Sequence, residues 1–181
     1  MRPEHVPWQN RTMVVRAATR NDAIGVGMAH VRSWQATYRG HFPQDFLDRM
    51  DPAMRAAAWE RYLTEGPPER ESLLVCDLDG DVVGFVSTGP CRDDDGRSGE
   101  VRAIYLLPDH WGRGLGRPLM GAALRELASA GFGDAMLWVF EENRRAKAFY
   151  RATGWTPDGG ARVIKPFGFP IPEARYRIDL A

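Results

Sequence analysis

The sequence is poor in cysteine. Cys76 and Cys91 are its only two, and they form neither a C-x-x-C pair nor a disulfide framework. The four histidines are scattered, with no H-E-x-x-H or similar spacing, so no metal centre is expected. Long apolar runs are missing too. None approaches the roughly 20 residues that cross a bilayer, and residues 1–10 lack the apolar stretch of a secretory leader. A cytoplasmic protein off the membrane is expected. Charge of one sign is absent: 24 basic and 24 acidic side chains cancel. That balance argues against a chain held mainly by nucleic-acid phosphates or an anionic lipid surface. There is no internal repeat and no linker. The 181 residues suit one domain, read as residues 12–181 behind a mobile tail at 1–11.

What is present is a glycine-rich stretch, Leu107-Pro108-Asp109-His110-Trp111-Gly112-Arg113-Gly114-Leu115-Gly116-Arg117-Pro118-Leu119. Residues 100–107 read as a strand before it and 119–130 as a helix after it. Alternate glycines let a backbone approach a ligand closely and take positive φ. A helix N-terminus carries unpaired N–H groups and partial positive charge, and so attracts phosphate. Pro118 suits a first helical turn. The spacing rejects a dinucleotide loop, because G-x-G-x-x-G lacks its third glycine from either start. It also rejects a Walker loop, since Gly116 is followed by Arg117 and Pro118. A cradle for some other phosphate-bearing ligand, or a bare glycine turn, remains.

In chain order, 12–17 reads as a strand. Thr19 and Asp22 resemble a capping box before a helix carrying Ile24, Met28, Val31 and Tyr38 at helical spacing. Gly40 and Pro43 end it. A short helical piece at 44–50 follows, and Asp51-Pro52 opens another helix. Residues 72–77 and 82–88 form strands around an Asp79-Gly80 hairpin turn. The polar loop 92–99 holds three aspartates at 93–95, a solvated turn or an attractor of cationic substrates. A continuous apolar strand follows at 135–140, then a helix from Asn143 to Thr153. Residues 156–174 read as a long connection rich in Gly and Pro, functional or disordered. Residues 175–180 close with a half-buried strand. The order β-α-α-β-β-β-α-β-α-β makes an α/β (α+β) fold, one mixed sheet with helices packed on it.

Two segments carry a resemblance. Trp111-Gly112-Arg113-Gly114-Leu115-Gly116 is similar to the Q/R-x-x-G-x-G/A pyrophosphate loop of the GNAT N-acetyltransferase superfamily, with Trp in place of Gln or Arg. Residues 143–155 resemble its N-x-x-A-x-x-F-Y-x-x-x-G-F/W segment through Asn143, Ala146, Phe149, Tyr150, Gly154 and Trp155. Both occur in order and at the family's separation, and a weaker likeness runs from about 13 to 180. The resemblance implies a mainly antiparallel central sheet, flanked by helices and splayed where acetyl-CoA enters.

It also implies transfer of an acetyl group from acetyl-CoA, a co-substrate, to a primary amine of a small molecule or peptide. The alternative is a non-catalytic acyl-CoA-binding module of the same fold. Backbone groups of Gly112, Arg113, Gly114, Leu115, Gly116 and Arg117 would hold the pyrophosphate. Ile104, Tyr105 and Leu106 would pair with the pantetheine arm, and an amide near Leu106 would polarise the thioester carbonyl. Asn143 matches a coenzyme contact and equally an N-cap. Tyr150 matches the acid that protonates the leaving thiolate, or is a core tyrosine beside Phe149. Glu100 is a plausible base, or a strand-edge carboxylate paired with Arg102 or Arg97. Trp34 and Tyr38 either line the acceptor pocket or pack the core, with His41 and Phe42 near the same entrance. The 156–174 segment would serve the substrate or a partner copy in a homodimer.

Overall fold

The computed structural model describes residues 11–94 and 96–180. The expected tail therefore lies outside the described residues, except for Arg11, which donates to Asp79 at 2.8 Å and Asp81 at 3.1 Å. Local chemistry sets the first elements. Between β1 (Met13–Ala17) and α1 (Ala23–Thr37), the Asp22 carboxylate accepts from the Thr19 N–H at 2.7 Å and from Arg16 at 2.8 Å. Strand and helix are thereby tied at one point. After the short α2 (Gln44–Asp48), α3 (Pro52–Glu65) begins where Asp51 accepts from the Ala53 N–H at 2.8 Å and Pro52 needs no partner. α1 and α3 cross closely at Gly27, where a Cβ would lie 2.7 Å from the Ala56 nitrogen.

β2 (Ser72–Leu78) and β3 (Asp81–Pro90) form a hairpin whose turn puts Asp79 and Gly80 at φ 53° and 91°, as a two-residue turn requires. Then come β4 (Gly99–Leu106), α4 (Gly116–Ser129), β5 (Asp134–Phe140), α5 (Arg144–Ala152), β6 (Thr156–Ile164) and β7 (Ile171–Asp179). The sheet order is β1-β2-β3-β4-β5-β7-β6, and only β4 and β5 run parallel among its pairings. One face carries Val86, Val101, Leu137 and Tyr176 against Leu119, Ala123 and Leu127 of α4 and Tyr150 of α5. The other carries Val75 and Phe85 against Val26 and Ala29 of α1 and Trp59 of α3. Each large apolar side chain so buried stabilises the fold by roughly 1.5–3 kcal/mol.

Residues 156–174 are not the long connection expected from their Gly and Pro content. They form β6, a short connection at 165–170 with one helical turn at Pro166–Gly168, and the first part of β7. β6 is an edge strand, where proline is tolerated, and the register slips between Pro157 and Ala161 to absorb Gly159 at φ 84°. α4 starts at Gly116 instead of Leu119, with Pro118 inside its first turn. Among the described residues no helix is long and apolar enough to cross a membrane.

Candidate active site

β4 and β5 pair at Gly99–Ala135 and Glu100–Met136. Beyond that point β4 stays with β3 and β5 with β7, so the sheet opens. The opening belongs to a cavity of about 810 Å³ that runs from the glycine loop to the aromatic end of α1.

The backbone of β4 faces this slot by simple alternation. Successive residues of an antiparallel ladder direct their N–H and C=O groups to opposite neighbours. The Leu107 N–H donates to Val83 O at 2.8 Å, so Leu107 and Tyr105 face β3 while Ile104 and Leu106 face the slot. The Leu106 carbonyl is already taken, accepting from Ser33 Oγ at 2.7 Å and Trp111 Nε1 at 2.8 Å. A bulge in β4 at Arg102, the extra residue between Val101 and Ala103 where β3 runs straight from Thr88 to Ser87, re-aims the strand. Tyr105 therefore turns its side chain toward α1, where its hydroxyl accepts from Trp34 Nε1 at 3.0 Å.

At the loop end, Gly112 and Gly114 have φ of 73° and 83° with open space around them. Gly116 serves a different purpose, since a Cβ there would sit 3.0 Å from the Phe149 ring of α5. Gly112, Gly114, Leu115, Gly116 and Arg117 all line the cavity; Arg113 is exposed and does not. Asn143 lines it too while its Oδ1 accepts from the Ala146 N–H at 3.0 Å, so it caps α5. Tyr150 lies between Phe149 and Tyr176, 8% exposed, and lines the same cavity. Burial pushes its phenol well above the ordinary value, so at neutral pH it keeps its proton.

Glu100 also lines the cavity, with a side chain only 4% exposed. Its nearest partner is Arg92, which was not expected; of the two arginines expected, Arg102 makes a longer ion pair and Arg97 makes none among the described residues. Arg92 donates to it at 2.8 and 3.1 Å, Arg102 stands at 4.0 Å, and Arg97 turns to the Asp94 carbonyl at 3.0 Å. Trp34 and Tyr38 both pack and line. Tyr38 stacks on Phe42 at 5.1 Å and meets Phe140 at 5.3 Å, and burial raises its phenol steeply. Phe42 is buried beneath it, and His41 rests edge-on against Phe140 at 4.8 Å.

Several lining residues had no signal in the sequence. Trp138 donates to Asp93 at 2.7 Å and carries the Arg162 guanidinium 4.1 Å above its ring. Arg162 in turn donates to Glu173 at 2.7 Å. Together these residues form a polar wall of the cavity. Trp138 was hidden in an apolar run; Arg162 and Glu173 lay where a loop was expected. Among the described residues no cluster of His, Cys, Asp and Glu is arranged to hold a metal.

A split parallel pair, a glycine loop opening α4, and a neutral phenol between them are thus combined in one cavity. A model of the acetyltransferase (GNAT) family matches residues 31–155. The chain belongs to that family. This acetyltransferase is 33% identical over 141 residues to the uncharacterized N-acetyltransferase YuaI of Bacillus subtilis, covering 77% of this chain and 78% of the relative. The fold matches yncA, a putative acetyltransferase from Salmonella typhimurium solved with acetyl-CoA, with a TM-score of 0.70, 22% identity, and 94% and 95% of the two chains covered. It also matches the paiA N-acetyltransferase of Thermoplasma acidophilum, solved with coenzyme A, with a TM-score of 0.66, 16% identity, and 93% and 99% covered.

Proposed function

We propose that this acetyltransferase moves the acetyl group of acetyl-CoA to a primary amine of a small molecule or peptide, by direct attack on the thioester. One observation carries the reading: the β4–β5 split brings the backbone of Ile104 and Leu106, the phenol of Tyr150 and the carboxylate of Glu100 into one cavity. The residues fit the donor. The loop at Gly112–Gly116 and the α4 N-terminus suit a diphosphate, and the outward-facing groups of Ile104 and Leu106 suit an extended amide-bearing arm.

The chemistry follows from what each group can do. An alkylammonium has a pKa of about 10 and must lose a proton before it can attack. Glu100 takes that proton, directly or through water, and Arg92, whose side chain is 62% exposed, is free to yield its place. The neutral amine adds to the thioester carbon while the Leu106 N–H donates to the carbonyl oxygen. As the C–S bond breaks, Tyr150 gives its proton to the sulfur, and the second proton shed by the nitrogen as the amide forms restores the phenol. Trp34, Tyr38 and the Trp138 wall shape the space for the acceptor. The direct test is calorimetric titration with acetyl-CoA, followed by thiol release across a panel of primary amines. Phosphate-dependent binding with amine-dependent release supports the reading; no binding at millimolar ligand removes it.

A further inference from the structure

Trp111 stands where the family's loop has Gln or Arg, and it offers a phosphate nothing. Its only polar group, Nε1–H, is committed to the Leu106 carbonyl at 2.8 Å. What it offers is a ring face, and that face is covered. The Arg145 guanidinium carbon lies 3.3 Å above the Trp111 centroid, and both residues line the cavity at its loop end. We propose that Arg145 and Trp111 form a composite grip for the diphosphate of the coenzyme, the guanidinium binding and the indole positioning it. The proposal rests on the acetyl-CoA reading above.

Three features set Arg145 apart from the other cations of the cavity. First, like Arg117 at the start of α4, it takes no part in the ion pairs among the described residues, whereas Arg92, Arg102 and Arg162 are spent on Glu100, Glu71 and Glu173; unlike Arg117, it is held against an aromatic face. Second, it stands with Arg144 in the first turn of α5, which has no acidic residue. Positive charge at that end of a helix opposes the dipole, and a bound anion relieves it. Third, stacking on the indole fixes the guanidinium plane while leaving its N–H edge open to solvent. A planar fork held in advance is suited to phosphate oxygens and loses little freedom on binding them. The same indole, with Ser33, holds the Leu106 carbonyl. The grip therefore ties the phosphate end of the donor site to the strand end that faces the thioester.

The test is calorimetric titration of the full chain with coenzyme A and with 3′-dephospho-coenzyme A. Arg145→Met is expected to weaken both by about tenfold or more, with thermal unfolding unchanged because the side chain is exposed. Trp111→Leu is expected to lose a similar factor, Trp111→Phe to keep most of the affinity, and the Arg145→Met/Trp111→Leu double variant to be no weaker than Arg145→Met alone. Should Arg145→Met fail to fold, Arg145→Lys supplies the same comparison with a smaller loss. Unchanged affinity in Arg145→Met overturns the proposal. A loss seen with coenzyme A but not its dephospho form overturns the diphosphate assignment in favour of the 3′-phosphate. Losses that add in the double variant overturn the shared grip. Wild-type protein that binds neither ligand overturns the acetyl-CoA reading itself, and the proposal falls with it.

Discussion

Glu100 and Met136 are the last residues at which β4 and β5 are paired, and Glu100 turns its buried carboxylate into the slot that opens beyond them. Position and chemistry coincide at the apex of the split. A carboxylate there is shielded from bulk water on the strand side, yet Arg92 holds it from the exposed side. Glu100→Gln keeps the shape and removes the proton acceptor. With an active amine, kcat/KM at neutral pH should fall by about 10²-fold or more, as for loss of a general base. Much of the deficit should vanish as pH approaches the pKa of the amine, because the substrate then arrives neutral. A deficit independent of pH would assign Glu100 to structure alone.

Tyr150 is the proposed acid, and its burial gives it a distinctive signature. The phenol is raised well above 10 by desolvation, with Tyr105 adding to the effect and Arg145 opposing it. It therefore stays protonated through the alkaline range, so kcat should show no fall with an apparent pKa near 10. Tyr150→Phe should lower kcat by about 10²-fold while leaving the affinity for acetyl-CoA within a factor of a few. Equal loss of binding and turnover would mean that the ring only packs.

Gly114 tests the cradle. Its φ of 83° is unfavourable for any L side chain, but no neighbour lies within 4 Å of a Cβ built there. Gly114→Ala should therefore bind coenzyme A more weakly through backbone strain alone, of order 1 kcal/mol. Gly114→Glu adds a carboxylate beside the phosphates and should give no heat at millimolar coenzyme A. Both variants should unfold near the wild-type temperature, since the loop is exposed.

Much of this was legible before the structure. The Asp51-Pro52 cap, the Asp79-Gly80 turn and the helix after Asn143 each rest on contacts within a few residues, and each formed as read. The glycine loop was legible for the same reason. What failed to show was anything set by distant pairing. β6 was missed because Pro157, Gly159 and Gly160 signal a loop, while its partner β7 supplies the register. Arg92 was missed as the partner of Glu100 because a turn eight residues long brings it back onto the strand. Trp111 registered as a departure, but its partner Arg145 lies on another helix, and no spacing rule links the two.

Gly27 shows where the fold has no room. A Cβ there would meet the Ala56 nitrogen and the Pro52 oxygen at 2.7 Å, both backbone atoms that cannot turn aside. Gly27→Ala should destabilise by about 2 kcal/mol through overpacking, lowering Tm by roughly 4–8 °C in a chain of this size. Gly121 in α4 is the control. Its nearest neighbour is the flexible end of Arg125 at 3.5 Å, so Gly121→Ala should stabilise by about 0.5–1 kcal/mol. Thermal unfolding of the two variants should move in opposite directions.

His30 sets an acid limit on the fold. Its ring is boxed by Trp34, Trp59, Phe85 and Tyr105, with centroids 5.1 to 6.2 Å away, and its Nδ1 has no hydrogen-bond partner among the described residues. Burial first, and Arg55 second, lower its pKa from 6.5 to about 3. The unfolded chain therefore takes up a proton between those values and the folded chain does not. The resulting stability is fully present above pH 6.5 and is lost as pH falls toward 3, at up to about 1.4 kcal/mol per pH unit. Denaturant unfolding at stepped pH should show that slope. His30→Phe keeps an aromatic ring in the box without the titrating nitrogen, so its slope over the same range should be shallower by the contribution of one proton. An identical slope in the variant would place the acid sensitivity elsewhere; Asp22, held at about 2 chiefly by Arg16, adds its own loss only below about pH 4.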